Sequence, residues 1–165
     1  MRDAQPPKQT LVLFPLVPDD AVAAIILIGD LYLLQHRDAK PEIFFPDYWG
    51  CFGGGIDGDE SDPTALLREL SEELGFSPGG KECVPFTRFD FDFGFAGCDV
   101  IYRQFYELRL PEGAETGLEL GEGQAMGLFD GETLMDGSVR LTPYDEFALW
   151  MHLNQNRLGP APAAS

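Results

Sequence analysis

Between Gly53 and Phe76 the chain reads GGGIDGDESDPTALLRELSEELGF, which sets Asp57, Asp59, Glu60, Asp62, Glu69, Glu72 and Glu73 around a single cation, Arg68. Like charges three or four residues apart on a helix repel by about 0.2 to 0.5 kcal/mol per pair. Arg68 can pair with Glu72 one turn on or reach back to Glu60, but one guanidinium cannot neutralise Glu69, Glu72 and Glu73 together. What is left is a cluster of hard oxygen donors, the kind of set that holds Mg²⁺ or Mn²⁺. The plain alternative is a solvated acidic helix face, because charge runs are most often surface. Gly53, Gly54 and Gly55 weigh against it: they let the backbone approach a ligand closely and place a carbonyl oxygen beside the carboxylates.

Rival motifs fail on the same residues. Gly53, Gly55 and Gly58 match the letters of a dinucleotide fingerprint, yet that motif opens directly into a helix and here Asp59-Glu60-Ser61-Asp62-Pro63 intervenes. Asp57, Asp59 and Ser61 mimic an EF-hand start, but Asp62 replaces the turn glycine and Arg68 stands where the bidentate glutamate belongs. The chain has no G-K-[ST], and only His36 and His152 are available for imidazole chemistry.

The carboxylates need a helix to align them. Pro63 to Leu74 has helical spacing, with Asp62 as N-cap, Pro63 in the first turn and Gly75 as the stop. Leu66, Leu67, Leu70 and Leu74 then cluster on one side to face a sheet, and Glu69, Glu72 and Glu73 form a second stripe. Upstream, VAAIILIGDLYLLQHR reads as strands near 22–28 and 31–37 joined by a tight Gly29-Asp30 turn. Downstream, CVPFTRFDFDF and DVIYRQFYELRL form a hairpin around Gly94 to Gly97, with the repeated Phe of FDFDFGF alternating into the buried face of the sheet. GQAMGLF is a short strand, and TPYDEFALWMHLNQN a closing helix capped by Thr142. Strands on both sides of a central helix, with a second helix at the end, predict a mixed sheet covered on both faces. One domain is expected over 10–158, with flexible termini at 1–9 and 159–165.

Composition bounds the partners. The 165 residues carry 28 Asp and Glu against 11 Lys and Arg, a formal net charge of −17 at pH 7, which excludes duplex nucleic acid as a ligand. A small phosphorylated molecule is compatible if a divalent cation mediates. Cys51, Cys83 and Cys98 lack metal-site or redox spacing and read as reduced, buried thiols. The N-terminal apolar run is broken by Pro15 and Pro18, and Ala21 to Leu34 is broken by Gly29 and Asp30. Neither a signal peptide nor a membrane span is expected, and the location implied is cytoplasmic.

Gly54, Glu60, Arg68, Glu69, Leu70, Glu72, Glu73, Gly75 and Phe76 fill a longer pattern: G, five residues, E, seven residues, then R-E-U-x-E-E-x-G-U with U apolar. The stretch resembles the signature box of the Nudix hydrolase family. That resemblance implies an α/β/α sandwich with a mixed β-sheet and Mg²⁺- or Mn²⁺-dependent hydrolysis of a nucleoside diphosphate linked to another moiety. By the same resemblance Glu69, Glu72 and Glu73 are metal ligands, Gly54 or Gly55 lends a backbone oxygen, and Arg68 with Glu60 forms an orienting ion pair. Glu122, with Glu119 behind it, is the candidate loop base, and a helix glutamate is the alternative. Arg37 and Arg103 are candidate phosphate contacts, and Tyr48, Trp49, Phe44 and Phe45 candidate base-stacking residues, although core is the plainer role for most of these aromatics. Phe52 replaces a proline common before the box glycines, and the marks of the ADP-ribose, diadenosine-polyphosphate and coenzyme A subsets are missing. Nucleotide sugars, nucleoside triphosphates and other nucleoside diphosphate derivatives all stay open as substrates, a homodimer is held open, and a non-catalytic nucleotide sensor is the rival function.

Overall fold

The run AVAAIILI forms strand β1 (Ala21–Ile28), and its surroundings explain its composition. Val22, Ala24, Ile26 and Ile28 enter one apolar cluster while Ala23, Ile25 and Leu27 enter another. A strand covered on both faces has continuous rather than alternating hydrophobicity. The structure, a computed structural model, describes residues 16–158; the termini expected at 1–9 and 159–165 lie outside the described residues. Gly29, at φ 61°, turns the chain into β2 (Leu31–His36), antiparallel to β1 as the Gly29-Asp30 dipeptide predicts.

The sheet has six strands among the described residues, in the order β3-β2-β1-β5-β4 with β6 paired to β2. Here β3 is Trp49–Gly50, β4 Cys83–Asp92, β5 Val100–Leu110 and β6 Ala125–Phe129. Strands β1 and β5 are parallel and the other pairs antiparallel, which gives the expected mixed sheet. β2 pairs with β1 only through Leu31–Leu33. Toward the start of β1 the glycine segment takes that place: the Ala24 N–H donates to the Phe52 carbonyl at 2.8 Å and the Val22 N–H to that of Gly54 at 2.9 Å.

Helix α1 (Asp62–Leu74) lies on one face, where Ala65, Leu66, Leu70 and Leu74 pack with Val22, Ile26, Tyr106 and Leu108; Leu67 is only partly buried against them. The helix starts one residue before the expected position. Ser61, not Asp62, occupies the cap, because the Asp62 carboxylate is taken by the Tyr102 hydroxyl at 2.7 Å. Pro63 still falls in the first turn, where its missing N–H has no intrahelical partner to lose. Gly75, left-handed at φ 59°, ends the helix.

The other face is covered by α2 (Gly131–Met135) and α3 (Pro143–Leu153), whose Leu134, Ala148 and Leu149 pack against Ala23, Ile25 and Phe105. A last turn, α4 (Gln155–Leu158), follows. Thr142 holds the cap position of α3, but its hydroxyl donates to Asp145 Oδ2 at 2.7 Å instead of accepting from the helix backbone. Helices on both faces of a mixed sheet make the α/β/α sandwich. Cys51 and Cys83 are buried as expected, whereas Cys98 is half-exposed in the β4–β5 connection. No helix of the described residues is long and apolar enough to cross a membrane.

Candidate active site

Arg68 organises the acidic stretch. Its Nη2 and Nε donate to the two Glu60 oxygens at 2.6 and 3.3 Å, and Nη2 also reaches the Gly55 carbonyl at 2.9 Å. Its Nη1 donates to Glu69 Oε1 at 2.7 Å and to Glu72 Oε2 at 3.3 Å. The spacing left Glu72 and Glu60 both open as partners, and Arg68 reaches both; the fork to Glu60 holds that carboxyl below its usual range. These contacts fasten the loop before α1 to the helix and aim Glu69 and Glu72 to one side.

Glu73 is the buried member, at 5% exposure. Its Oε1 accepts from Gln35 Nε2 at 3.0 Å and its Oε2 from the Gly53 N–H at 2.7 Å. Burial nevertheless pushes its carboxyl up to about 7, with the charges of Glu69 and Glu122 adding to the effect of burial over the two hydrogen bonds. Glu69 is raised as well, by burial first, then against Arg68 by the charges of Glu72 and Glu122. Glu72 points outward, its side chain 55% exposed.

Two glycines make this arrangement possible. Gly53 sits at φ 131°, and a Cβ there would lie 2.3 Å from the Val22 carbonyl oxygen. A Cβ on Gly54 would lie 2.6 to 2.7 Å from the Glu69 carboxyl atoms. Only bare backbone lets β1, the glycine segment and the helix glutamates meet.

The residues fit a hard divalent cation in kind and place. Glu69 and Glu72 share one Arg68 nitrogen, the Gly54 and Gly55 carbonyls stand alongside with one lone pair each already used, and Glu69 and Glu73 are raised by burial with neighbouring negative charge adding to it. Among the described residues no three carboxylate, imidazole or thiol groups are already gathered as a cation cage. Both oxygens of Glu73 are committed to Gln35 and Gly53, so Glu69 and Glu72 are the freer donors.

The glutamates line part of a cavity of about 940 Å³. Glu69, Glu73 and Glu122 share it with Gly53–Gly55, Arg37 and Arg103, so the structure brings most of the sequence-derived site together. Glu122 is placed by its backbone: its carbonyl accepts from Gln35 Nε2 at 3.1 Å, while the Gln124 N–H two residues on donates to the His36 carbonyl at 2.8 Å. Tyr48 is not among the lining residues. Its ring is edge-on to Phe45, with the Arg140 guanidinium 5.2 Å above it, so it backs the wall that Phe44 and Phe45 form. Trp49 stacks on His36 and packs into the core.

Sequence reasoning missed other lining residues. Phe89, Phe91 and Phe93 line the cavity together with Tyr144 and Phe147, so the FDFDF repeat does not simply feed the sheet's core; only Phe89 also packs there. Their alternation was visible, but which side faces an opening depends on where α3 docks. Gln35, an uncharged residue at the end of an apolar strand, gave no signal.

A NUDIX domain model matches residues 17–151. The chain belongs to the Nudix hydrolase family. The solution structure of the Escherichia coli ORF135 protein is similar at 26% identity and TM-score 0.66, over 87% of this chain and 94% of that one. A MutT Nudix hydrolase from Burkholderia pseudomallei matches at 25% identity and TM-score 0.63, over 81% and 96%. A bifunctional NMN adenylyltransferase/ADP ribose pyrophosphatase from Francisella tularensis, solved with AMP and a manganese ion, shares the fold at 19% identity and TM-score 0.58, over 88% of this chain and 43% of that one. A search of curated proteins gives no significant match.

Proposed function

We propose that this Nudix-family chain hydrolyses the diphosphate bond of a nucleoside diphosphate linked to another moiety, with Mg²⁺ or Mn²⁺ as the required cofactor. The observation that carries the reading is the set Glu69, Glu72 and Glu73, fastened by Arg68 and Gly53, of which Glu69 and Glu73 line a cavity that also has an aromatic wall. A bound divalent ion supplies cancellation of charge on the phosphate oxygens and a lower pKa for the attacking water. Glu69 and Glu72, with the Gly54 carbonyl, would hold it, and Glu73 would fix the glycine segment through its bond to Gly53. Glu122, which lines the cavity with a carboxylate outside the helix, is the residue proposed to take the proton from water. Arg37, on the same wall, would meet phosphate oxygens; its Nε is tied to the Phe44 carbonyl at 3.1 Å, which positions the head group. The partner is a small molecule, and buried Cys51 and Cys83 suit a reducing, cytoplasmic setting.

The test is product analysis after incubation with nucleoside triphosphates, ADP-ribose, nucleotide sugars and dinucleotides, with Mg²⁺, with Mn²⁺ and with chelator. Metal-dependent release of a nucleoside monophosphate supports the reading and identifies the compound. Binding without any cleavage across the panel would replace it with a nucleotide sensor.

A further inference from the structure

Arg103, on β5, is only 8% exposed, yet its guanidinium makes no hydrogen bond within the described residues. Its Nε lies 3.3 Å from Asp145 Oδ1, close enough for charge pairing, but both atoms are buried without a hydrogen-bond partner. Asp145 itself is fixed: its Oδ2 accepts from the Cys51 N–H at 2.9 Å and from the Thr142 hydroxyl at 2.7 Å. The guanidinium carbon sits 4.7 Å from the Tyr144 ring centroid and 5.5 Å from that of Phe105. Arg103 lines the cavity among Phe89, Phe91, Tyr144 and Phe147. Buried polar groups are ordinarily satisfied, so a planar fork of N–H donors left over against a cavity marks a place for an acceptor.

The chemistry of that acceptor follows from the surroundings. Asp145 already compensates the charge of Arg103, so the site has spare donors but no spare charge. An anion would have to shed water among aromatic rings beside a carboxylate, whereas a neutral flat ring would stack on those walls. We propose that Arg103 is a specificity-determining residue that reads an edge of a nucleobase carrying two adjacent acceptors, with Asp145 as its positioning residue. This assigns Arg103 to the ring and not to phosphate, and it rests on the reading that a nucleotide occupies the cavity. Two bases present such an edge: guanine through O6 and N7, and cytosine through O2 and N3. Adenine sets a donor beside its N7, and uracil places its N3–H between its two carbonyl groups.

Equilibrium binding of GMP, CMP, AMP and UMP, products that do not turn over, tests this on the full chain. GMP or CMP should bind about tenfold or more tightly than AMP and UMP, and whichever leads identifies the base. Deleting one acceptor of the leading base, as in 7-deaza-GMP or 3-deaza-CMP, should remove most of that advantage. Arg103→Lys, which keeps a cation opposite Asp145 but loses the fork, should bring all four within about threefold, and Arg103→Met should do the same; a merely structural role would weaken all four equally. Equal binding of the four by the unmodified chain, a lead by AMP or UMP, no binding, or a ranking that survives both substitutions overturns the proposal. Turnover of the matching triphosphates is followed in parallel. Cleavage without base ranking leaves the hydrolase and removes the role of Arg103; base ranking without cleavage does the reverse.

Discussion

Glu72 and Glu73 are adjacent in sequence and differ in almost every physical respect, so the same substitution has different consequences at each. Glu72 is half in solvent, and among the described residues its carboxylate is paired with Arg68 alone, at 3.3 Å. Glu72→Gln keeps shape and removes a charge from the proposed cation site; kcat should fall by about a hundredfold or more while the melting temperature holds. Glu73→Gln forces one amide N–H₂ against a donor, since Gln35 Nε2 and the Gly53 N–H occupy its two oxygens. A flip of Gln35 gives no relief, because its oxygen would then face the Glu122 carbonyl. This variant should lose activity and also about 1 to 3 kcal/mol of stability, read as a lower melting temperature. Equal melting of both variants would show that Glu73 does not hold the glycine segment. Arg68→Ala leaves Glu60, Glu69 and Glu72 without their shared partner, and a drop in both melting temperature and turnover is the expected outcome.

At the scale of elements, the glycine segment and α1 act as one unit, and its two key glycines should fail differently. In Gly54→Ala the new Cβ meets the end of the Glu69 side chain, which can swing away, so the fold should survive while turnover drops sharply. In Gly53→Ala it meets the backbone of Val22 at a positive φ, so the pairing with β1 must open, at a cost above about 1 kcal/mol. Circular dichroism melts beside turnover separate the two. Much of this unit was legible in the sequence because its signals are local: the leucine spacing, the stop at Gly75 and the charge set around Arg68. The cap slipped from Asp62 to Ser61 because a tertiary bond from Tyr102 competes for the Asp62 carboxylate. Strand β3 is two residues long and α2 only five, too short for any periodicity to show. The aromatic wall was illegible for a related reason: Phe91 and Phe93 resemble core residues until the docking of α3 leaves a space beside them.

Across the whole molecule, a formal charge of −17 means that neutral pH already strains the fold by self-repulsion, and mild acid should relieve part of it. A network anchored on buried His152 of α3 opposes that trend. His152, 3% exposed, joins the Tyr32 hydroxyl through Nδ1 at 2.8 Å and Glu107 Oε2 through Nε2 at 2.6 Å, and Glu107 also holds Arg109 at 2.7 Å. Burial pushes the Glu107 carboxyl up, but Arg109 and His152 outweigh it and hold the group below its ordinary value of 4.5. The folded chain therefore takes up a proton at Glu107 less readily than the unfolded chain. Its contribution to stability is present above about pH 4.5 and is lost as pH falls through the depressed value. Glu107→Gln should melt below the unmodified chain at pH 7, and the gap should close as both are taken toward pH 3. Because self-repulsion changes almost equally in the two proteins, the difference between their melting temperatures isolates the network. A gap that stays constant over that range would mean that Glu107 acts by packing alone.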